Sequence, residues 1–358
     1  MNDSVKAPAV SHPLAARGNL YRAAIVGAGS LKGKEVAEML NDRNFPAADI
    51  RLLDDDESMG QLEAMGDEIS FIQRVQADQF EHVDFTFFAS DQDSTRKNWK
   101  DARDSGSAII DLSGALENEI GASVRSSWVE RERGQIPPPE LQPGPCVTAH
   151  PVAVTLALLL LRARKAGAVQ RAVTTIFEPA SEHGQKGMDE LHQQTVNLLS
   201  FQSLPKEVFD AQLAFNMVAR YGQKSRPALG SIEARIFRHY QKIAGAEAPP
   251  VSLLLLQAPV FHGYALAVFV EMDRPVDMQT LSRALAGDHI TIPGPEDDPP
   301  SNVSSAGQGD IQLSLKLDPA QPNGVWLWAA ADNLRISALA AVECAESMTA
   351  TRPTGKIQ

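Results

Sequence analysis

The first half of the chain alternates short apolar runs with segments of helical periodicity. Four runs have the length and composition of buried strands: residues 21–27, 49–53, 85–90 and 108–111. Residues 30–41 carry four apolar side chains at helical spacing: Leu31, Val36, Met39 and Leu40. Strands that alternate with helices in this way predict an α/β fold, in which helices cover both faces of a parallel sheet.

The pattern changes after residue 150. Residues 151–164 are strongly apolar and long enough for a buried helix. Strand-like runs and helical stretches then follow one another. The strands are at 171–177 and 325–330, with two more runs around Pro259 within 253–270, and the helices are at 189–199, 231–244 and 334–348. This order predicts an α+β domain whose sheet is mixed or mostly antiparallel. Two segments rich in proline, 135–145 and 297–309, are predicted loops.

A chain of 358 residues is long enough for two packed domains. Residues 1–20 are polar and rich in proline and alanine, which predicts a disordered tail. The change of pattern places the first domain at residues 21–150 and the second at residues 151–330.

The charge and the cysteine content narrow the classes of function. A net charge of -12 and a pI near 5.2 argue against binding to nucleic acid or to an anionic membrane. The N-terminus has no apolar core of a signal peptide, and the longest apolar run, 152–161, is too short to span a bilayer. Cys146 and Cys344 form neither a disulfide framework nor a metal-ligand pattern. We therefore expect a cytoplasmic protein without a metal site.

A glycine-containing turn follows the first predicted strand. Gly27, Gly29 and Gly33 lie between this strand and the first helix, with Ser30 among them. Glycines at this place let the backbone approach a pyrophosphate, which binds at the helix N-terminus. The motif alone is equally compatible with a tight turn that binds nothing. It makes a Rossmann-type dinucleotide-binding domain the natural interpretation of residues 21–150.

Several short segments occur in an order that resembles the aspartate-semialdehyde dehydrogenase family. They are Asn-Phe-Pro at 44–46, Phe-Glu-Pro-Ala-Ser-Glu-His-Gly-Gln-Lys-Gly at 177–187, Ala-Phe-Asn at 214–216, Pro-Val-Phe-His-Gly at 259–263 and Ala-Ala-Ala-Asp-Asn-Leu-Arg at 329–335. The resemblance covers about residues 20–348. It implies a Rossmann-type domain completed by a C-terminal helix at 331–350, an α+β dimerisation domain and a homodimer. Family members reduce aspartyl phosphate with a nicotinamide cofactor.

The resemblance also shows which positions should carry the chemistry. The family's nucleophilic cysteine, in a motif like NPNC(S/T)T, corresponds to Ala153, and a methyl group cannot attack a carbonyl. The acid–base histidine corresponds to Tyr264 and the substrate-binding arginine to Gln257, in segments like RVPVFRGH. The glutamine that positions the intermediate corresponds to Glu178. No catalytic residue of the family is therefore intact.

The ligand-binding positions differ from the family pattern as well. Glu117 stands where an arginine holds the substrate phosphate, which predicts repulsion of a phosphorylated substrate. Glu182 and His183 stand in the glycine loop near the nicotinamide. Ser30 and Asp91 replace glycines of the cofactor loops, and Ser90 lies beside them. The acids at 54–57 would repel a 2′-phosphate but could accept a hydrogen bond from a ribose hydroxyl. The alternative interpretation is that these acids form a solvated loop. NAD or NADP binding is therefore expected to be weak or lost.

We predict a catalytically inactive, homodimeric member of the family, with binding of an unknown protein partner as a further possibility. Two alternatives stay open. An active NAD(P)-dependent semialdehyde dehydrogenase of amino-acid biosynthesis would need a thiol from Cys146 or Cys344, and packing explains both. A re-purposed enzyme would use polar groups that converge in the old pocket: His150, Glu178, Glu182, His183, His262 and Tyr264.

Overall fold

The computed structural model describes residues 20–55, 62–65, 68–135, 144–226 and 228–349. Three predicted features fall wholly or partly outside the described residues. They are the tail as far as residue 19, residues 56 and 57 of the acidic run, and residues 136–143 of the first proline-rich loop. Within the described residues, no helix is long and apolar enough to cross a membrane.

The described elements up to residue 163 are β1 (Tyr21–Val26), α1 (Leu31–Asp42), β2 (Ala47–Asp54), β3 (Leu62–Met65), β4 (Glu68–Phe71), β5 (Gln73–Arg74), β6 (Phe85–Phe88), α2 (Gln92–Asp104), β7 (Ala108–Asp111), β8 (Ser123–Arg125), α3 (Ser127–Glu132), β9 (Cys146–Thr148) and α4 (Pro151–Ala163). Seven of these strands form a parallel sheet in the order β5-β2-β1-β6-β7-β9-β8. Its central strands β6 and β7 are buried along their whole length, as apolar strands with covered faces must be.

The elements after residue 163 are β10 (Val169–Glu178), α5 (Gly184–Leu199), α6 (Leu229–Ala244), β11 (Val251–Gln257), β12 (Tyr264–Met272), α7 (Met278–Leu285), β13 (Ile290–Thr291), β14 (Ile311–Leu317), β15 (Gly324–Ala331) and α8 (Asn333–Thr349). Six strands form a second sheet in the order β11-β10-β12-β15-β14-β13. Two of its pairs, β10 with β11 and β13 with β14, are parallel, and the others are antiparallel. The predicted fold class is confirmed, with a mixed second sheet.

Helix packing joins the two sheets. α4 is apolar on all sides because α3, α6, α7 and α8 surround it, so nearly every one of its residues is buried. α8 returns to the first sheet and packs on α1, β7 and β9. The division at residue 150 falls at the start of α4, and the domain limits stay predictions.

The strand order of the first sheet creates a crevice. β1 is followed in the chain by β2 on one side and, further on, by β6 on the other, so the winding direction reverses between β1 and β6. Ligands of open α/β sheets bind outside the carboxyl ends of the strands at such a switch point. The loops at residues 27–30 and 89–91 border this crevice, and α1 starts beside it.

One predicted helix differs clearly from the structure. The periodicity at 189–199 predicted all of α5 except its first five residues, because the helix begins at Gly184. Gly184 and Gly187 hide this start in the sequence, because glycine is a poor helix former. A side chain at Gly187 would lie 2.7 Å from the carbonyl oxygen of Ala180, so packing requires the glycine.

Candidate functional site

A small cavity lies where the two sheets meet, and we call it the junction cavity. It is lined by side chains from both halves of the chain, among them Lys32, His150, Glu182, Arg235 and His239. Its volume is about 10 Å³, which is roughly the space that one water molecule needs. A substrate molecule does not fit into it without movement of these side chains.

The second sheet brings three polar side chains to one edge beside this cavity. Glu178 ends β10 and Gln257 ends β11, and these parallel strands place the two residues side by side. β12 runs antiparallel to β10, so its first residue, Tyr264, starts at the same edge. All three side chains are at most 1% exposed, so each needs hydrogen-bond partners inside the protein.

Hydrogen bonds join these residues into a closed network with His183 and Tyr221. His183 Nε2 lies 2.8 Å from Glu178 Oε1 and 2.8 Å from the Tyr221 hydroxyl oxygen. The Tyr221 hydroxyl donates to Gln257 Oε1 at 2.6 Å. Gln257 Nε2 donates to the carbonyl oxygens of Glu178 and Ala258. Because a carboxylate only accepts, His183 Nε2 carries the proton of the bond to Glu178.

Tyr264 connects this network to His150. Its hydroxyl donates to Glu178 Oε2 at 3.4 Å and lies 3.4 Å from His150 Nε2. Burial, reinforced by the charge of Glu178, raises the pKa of Tyr264 well above its usual value. Burial likewise raises the pKa of Tyr221, and the negative charge of Glu178 raises it further. Both phenols therefore stay protonated and act as donors at neutral pH.

The protonation of His150 and His239 follows from backbone donors. The amide of Val152 donates to His150 Nδ1 at 3.3 Å, and the amide of His150 donates to His239 Nδ1 at 3.0 Å. Each Nδ1 atom is thus an acceptor, and each Nε2 atom carries the hydrogen. Burial lowers the pKa of both imidazoles. Neither ring offers a free basic nitrogen to a ligand in the junction cavity.

Glu182 is the buried anion of the junction cavity. Its Oε1 lies 3.4 Å from Lys32 Nζ, 3.7 Å from Arg235 Nη2 and 3.7 Å from His150 Nε2. Asn333 Nδ2 donates to its other oxygen at 3.4 Å. Burial alone would raise the pKa of Glu182, but the nearby cationic groups, Lys32 first, lower it to about 2.

Glu117 is neutralised by partners on α6. His239 Nε2 donates to Glu117 Oε2 at 3.0 Å, and Arg238 pairs with the other oxygen. The hydrogen bond from His239 and the ion pair with Arg238 lower the pKa of Glu117 to about 2. The repulsion of an anion that the sequence predicts from Glu117 is therefore weakened, since this charge is matched and Lys32 and Arg235 line the cavity.

The glycine turn after β1 is closed by groups of the protein itself. Gly27 has a φ of +85°, and a Cβ atom there would lie 2.5 Å from the amide nitrogen of Ser90. Ser30 caps α1, because its hydroxyl oxygen accepts from the Gly33 amide, and the same hydroxyl donates to the carbonyl of residue 89. The Gly29 amide donates to Asp54 Oδ2 at 2.7 Å. The turn has the shape of a phosphate-binding loop, with Asp54 at the end of β2 bonded to it.

Comparisons with known proteins identify the family. Residues 22–133 match the family model described as semialdehyde dehydrogenase, NAD binding domain, and residues 160–336 match the dimerisation domain of the same enzymes. A USG-1 protein homolog of Pseudomonas aeruginosa is 32% identical over 314 residues, which cover 87% of this chain and 92% of the relative. The chain belongs to the aspartate-semialdehyde dehydrogenase family.

Other relatives carry the dehydrogenase name. The aspartate-semialdehyde dehydrogenase of Rickettsia bellii is 26% identical over 340 residues, which cover 92% of this chain and 98% of that protein. The solved structure of a probable aspartate-semialdehyde dehydrogenase from Pseudomonas aeruginosa has a TM-score of 0.81 at 30% identity, and covers 93% of this chain and 99% of that one. The family is thus one of oxidoreductases with a nucleotide-binding domain.

The position that the sequence analysis predicts for the nucleophile is buried in this chain. Ala153 lies in the first turn of α4 and is 0% exposed. Cys146 is buried in β9, and the thiol of Cys344 in α8 hydrogen-bonds it. This contact and burial raise the pKa of the Cys344 thiol well above its usual value. Within the described residues, neither cysteine lines the junction cavity.

The structure brings together five of the six polar residues that the sequence suggested for the old pocket: His150, Glu178, Glu182, His183 and Tyr264. His262 is half-buried in the loop before β12, and in the described part of the chain no hydrogen bond or ion pair joins it to the others. Sequence reasoning missed five site residues: Lys32, Tyr221, Arg235, His239 and Asn333. Three of them gave a signal: Asn333 lies in the segment 329–335 that resembles the family, and Arg235 and His239 share a face of α6 because they are four positions apart.

Proposed function

We propose that this protein is a member of the semialdehyde dehydrogenase family without dehydrogenase activity, which forms a homodimer and binds NAD rather than NADP. The observation that carries the proposal is the state of the junction cavity. In this cavity Glu182 pairs with Lys32, Arg235 and His150, and the position predicted for the nucleophile carries the methyl group of Ala153.

The absence of a nucleophile at the family position removes the covalent step. Family members form a covalent bond between a thiolate and the acyl group, and the methyl group of Ala153 has no lone pair for such a bond. Removing a catalytic nucleophile lowers turnover by about 10⁶ in a well-studied protease. The buried Cys146–Cys344 pair lies outside the cavity and is not a substitute.

The hydrogen-bond network argues against a new acid–base activity. A general base needs a basic atom within hydrogen-bond reach of its substrate. The Nδ1 atoms of His150 and His239 accept from backbone amides, and His183 Nε2 is held by Glu178 and Tyr221. These contacts leave no basic nitrogen of His150 or His239 directed at a ligand, and they hold His183 Nε2 within the polar core.

The activity is tested with aspartate semialdehyde, phosphate and either NAD or NADP. We expect no reduced cofactor above the uncatalysed rate from the natural protein, from Ala153→Cys, or from Ala153→Cys combined with Tyr264→His. The double variant restores the thiol and the imidazole, but Gln257 still stands at the position of the substrate-binding arginine. Steady turnover by the natural protein that persists after treatment with a cysteine-blocking reagent would overturn the proposal. It would favour a re-purposed site. Turnover that such a reagent abolishes would point to Cys146 or Cys344.

The homodimer is supported by an open face of the second sheet. Helices cover one side of this sheet, whereas the other side exposes four large apolar side chains: Val173 (42%), Leu254 (50%), Trp326 (42%) and Trp328 (37%). Strand pairing aligns Val173 with Phe269 and Phe269 with Trp326, so these residues form one patch. A contiguous apolar face of this kind marks an association surface. The matched dimerisation domain includes all these strands from β10 to β15.

The association is tested by light scattering after size exclusion. The natural protein should be a dimer at micromolar concentration, and Val173→Arg should be a monomer because a guanidinium replaces an apolar contact at the centre of the face. Ile120→Arg is the matched control, since Ile120 is fully exposed in the first domain, and this variant should stay dimeric. A monomeric natural protein would show that the dimer is wrong.

The preference for NAD follows from acids at the end of β2. Asp54 ends this strand, with its carboxylate at the glycine turn, and Asp55 follows. Acids at this place bind a ribose 2′-hydroxyl and repel a 2′-phosphate. Calorimetric titration should therefore give a lower Kd for NAD than for NADP. Tighter binding of NADP would refute this part of the proposal.

A further inference from the structure

Glu182 connects the second half of the chain to the nucleotide crevice. It lies in the 3-10 turn Ala180–His183, which follows β10 of the second sheet. Its partner Lys32 lies in the first turn of α1, next to the glycine turn of the first sheet. The ion pair therefore spans the boundary between the two sheets at the N-terminus of α1.

Glu182 is held firmly in this position. Its side chain is 3% exposed, and it contacts two cationic side chains, Lys32 and Arg235. Asn333 fixes the turn from the other side, because its amide donates to Glu182 and its oxygen accepts from the Ser181 hydroxyl and the Gly263 amide. A buried carboxylate with these partners stays ionised at neutral pH.

The same place attracts the phosphates of a nucleotide. Helix N-termini that follow a glycine turn bind phosphate, because amide hydrogens and the helix dipole favour an anion there. Lys32 is the cation nearest in sequence to this turn within α1. While Lys32 pairs with Glu182, its charge is matched by a group of the protein itself, and a second anion entering the crevice meets the carboxylate as a like charge.

We propose that Glu182 is an internal gate of the nucleotide crevice. Its carboxylate holds Lys32 while the crevice is empty, and the diphosphate of a dinucleotide must displace it from Lys32 in order to bind. The gate rests on the proposed nucleotide binding, and it sets the affinity for diphosphate-containing ligands. It also links occupancy of the crevice to the contact between the two sheets, because Glu182 and Lys32 belong to different halves of the chain.

The test compares Glu182→Gln with the natural protein by calorimetry, with NAD and with ADP-ribose, which carries the diphosphate without the nicotinamide. We expect the Kd of both ligands to fall about tenfold or more, since Lys32 no longer pairs with a carboxylate and its charge is available to the diphosphate. Glu343→Gln is the matched control. Glu343 is a buried carboxylate paired with Arg131 outside the junction cavity, and its replacement should leave both Kd values unchanged.

A second variant tests the role of Lys32. Lys32→Met should weaken binding of both ligands, and in its presence Glu182→Gln should improve the Kd much less than tenfold. Equal Kd values for the natural protein and Glu182→Gln, with both binding, would overturn the gate and leave the proposed nucleotide binding intact. Failure of both proteins to bind either ligand at millimolar concentration would overturn nucleotide binding and the gate together. Improvement of ligand binding by Glu343→Gln to the same extent would also overturn the gate.

Discussion

Glu178 can be returned to the glutamine that the family pattern has at this position. In this protein, its two oxygens face donors: His183 Nε2 at 2.8 Å and the Tyr264 hydroxyl at 3.4 Å. An amide has one oxygen and one NH2 group, so Glu178→Gln places a donor against one of these donors. We expect the substitution to destabilise the protein, although it introduces the residue that the resemblance implies for the family at this position.

The size of the effect follows from burial and charge. Glu178 is 0% exposed, so water cannot replace the lost acceptor. Leaving one buried donor unpaired costs ~1–3 kcal/mol, and a hydrogen bond to a charged group contributes about 1.5–3 kcal/mol. These two figures describe the loss of the same hydrogen bond, so they are not added. We expect a decrease of about 2 kcal/mol in the free energy of unfolding.

The measurement is urea unfolding at pH 7 followed by tryptophan fluorescence and by circular dichroism. Tyr264→Phe removes the hydroxyl that donates to Glu178. The decrease in unfolding free energy of the double variant, Glu178→Gln with Tyr264→Phe, should therefore be smaller than the sum of the two single decreases, with a coupling energy of ~0.5–3 kcal/mol. Glu271→Gln is the control, since Glu271 is a half-buried acid on β12 whose ion pair with Arg171 is largely exposed to solvent. A Glu178→Gln variant as stable as the natural protein would refute the closed network.

Three other substitutions or conditions test the packing of the site. Acid should weaken the protein through Glu182, whose folded pKa of about 2 lies below its usual 4.5. This stabilisation of about 3 kcal/mol is complete above pH 4.5 and is lost as the pH falls towards 2, so Glu182→Gln should flatten the pH dependence of unfolding in this window. Gly33→Ala should lower stability by ~1–3 kcal/mol in thermal unfolding, because its methyl group would lie 2.1 Å from the Gly27 carbonyl oxygen. Arg162→Met should lower stability by roughly 3–5 kcal/mol in urea, since Arg162 pairs with Glu132 in a buried position and donates to the carbonyls of Leu285 and Asp288.

The fold could be predicted from the sequence because each half of the chain has its own hydrophobic pattern. β1, β6 and β7 are short, fully apolar runs followed by helices, which is typical of a parallel sheet. The short strands β5, β8 and β13 gave no such signal. Two or three residues are too few for a period, and their pairing depends on neighbours far away in the chain.

The site was harder to predict than the fold. The family motifs located Ala153, Glu178 and Tyr264, but they did not show what these side chains contact. Tyr221 lies in a loop without periodicity, and it is 36 positions away from its partner Gln257. Lys32 and Glu182 are 150 positions apart. The first pair forms only when the second sheet is in place and the second pair only when both sheets are, so local patterns contain no information about them.

The residues at the positions predicted to correspond to the family's catalytic groups depend on one another. A tyrosine at 264 brings a buried hydroxyl that must donate, and the carboxylate of Glu178 accepts from it. The same carboxylate accepts from His183, a residue that stands where the family has a glycine loop. The three side chains thus satisfy one another inside the protein, and they form a packed polar contact at the junction of the two sheets. For that reason a single return to the family residue should damage the protein before it restores any chemistry.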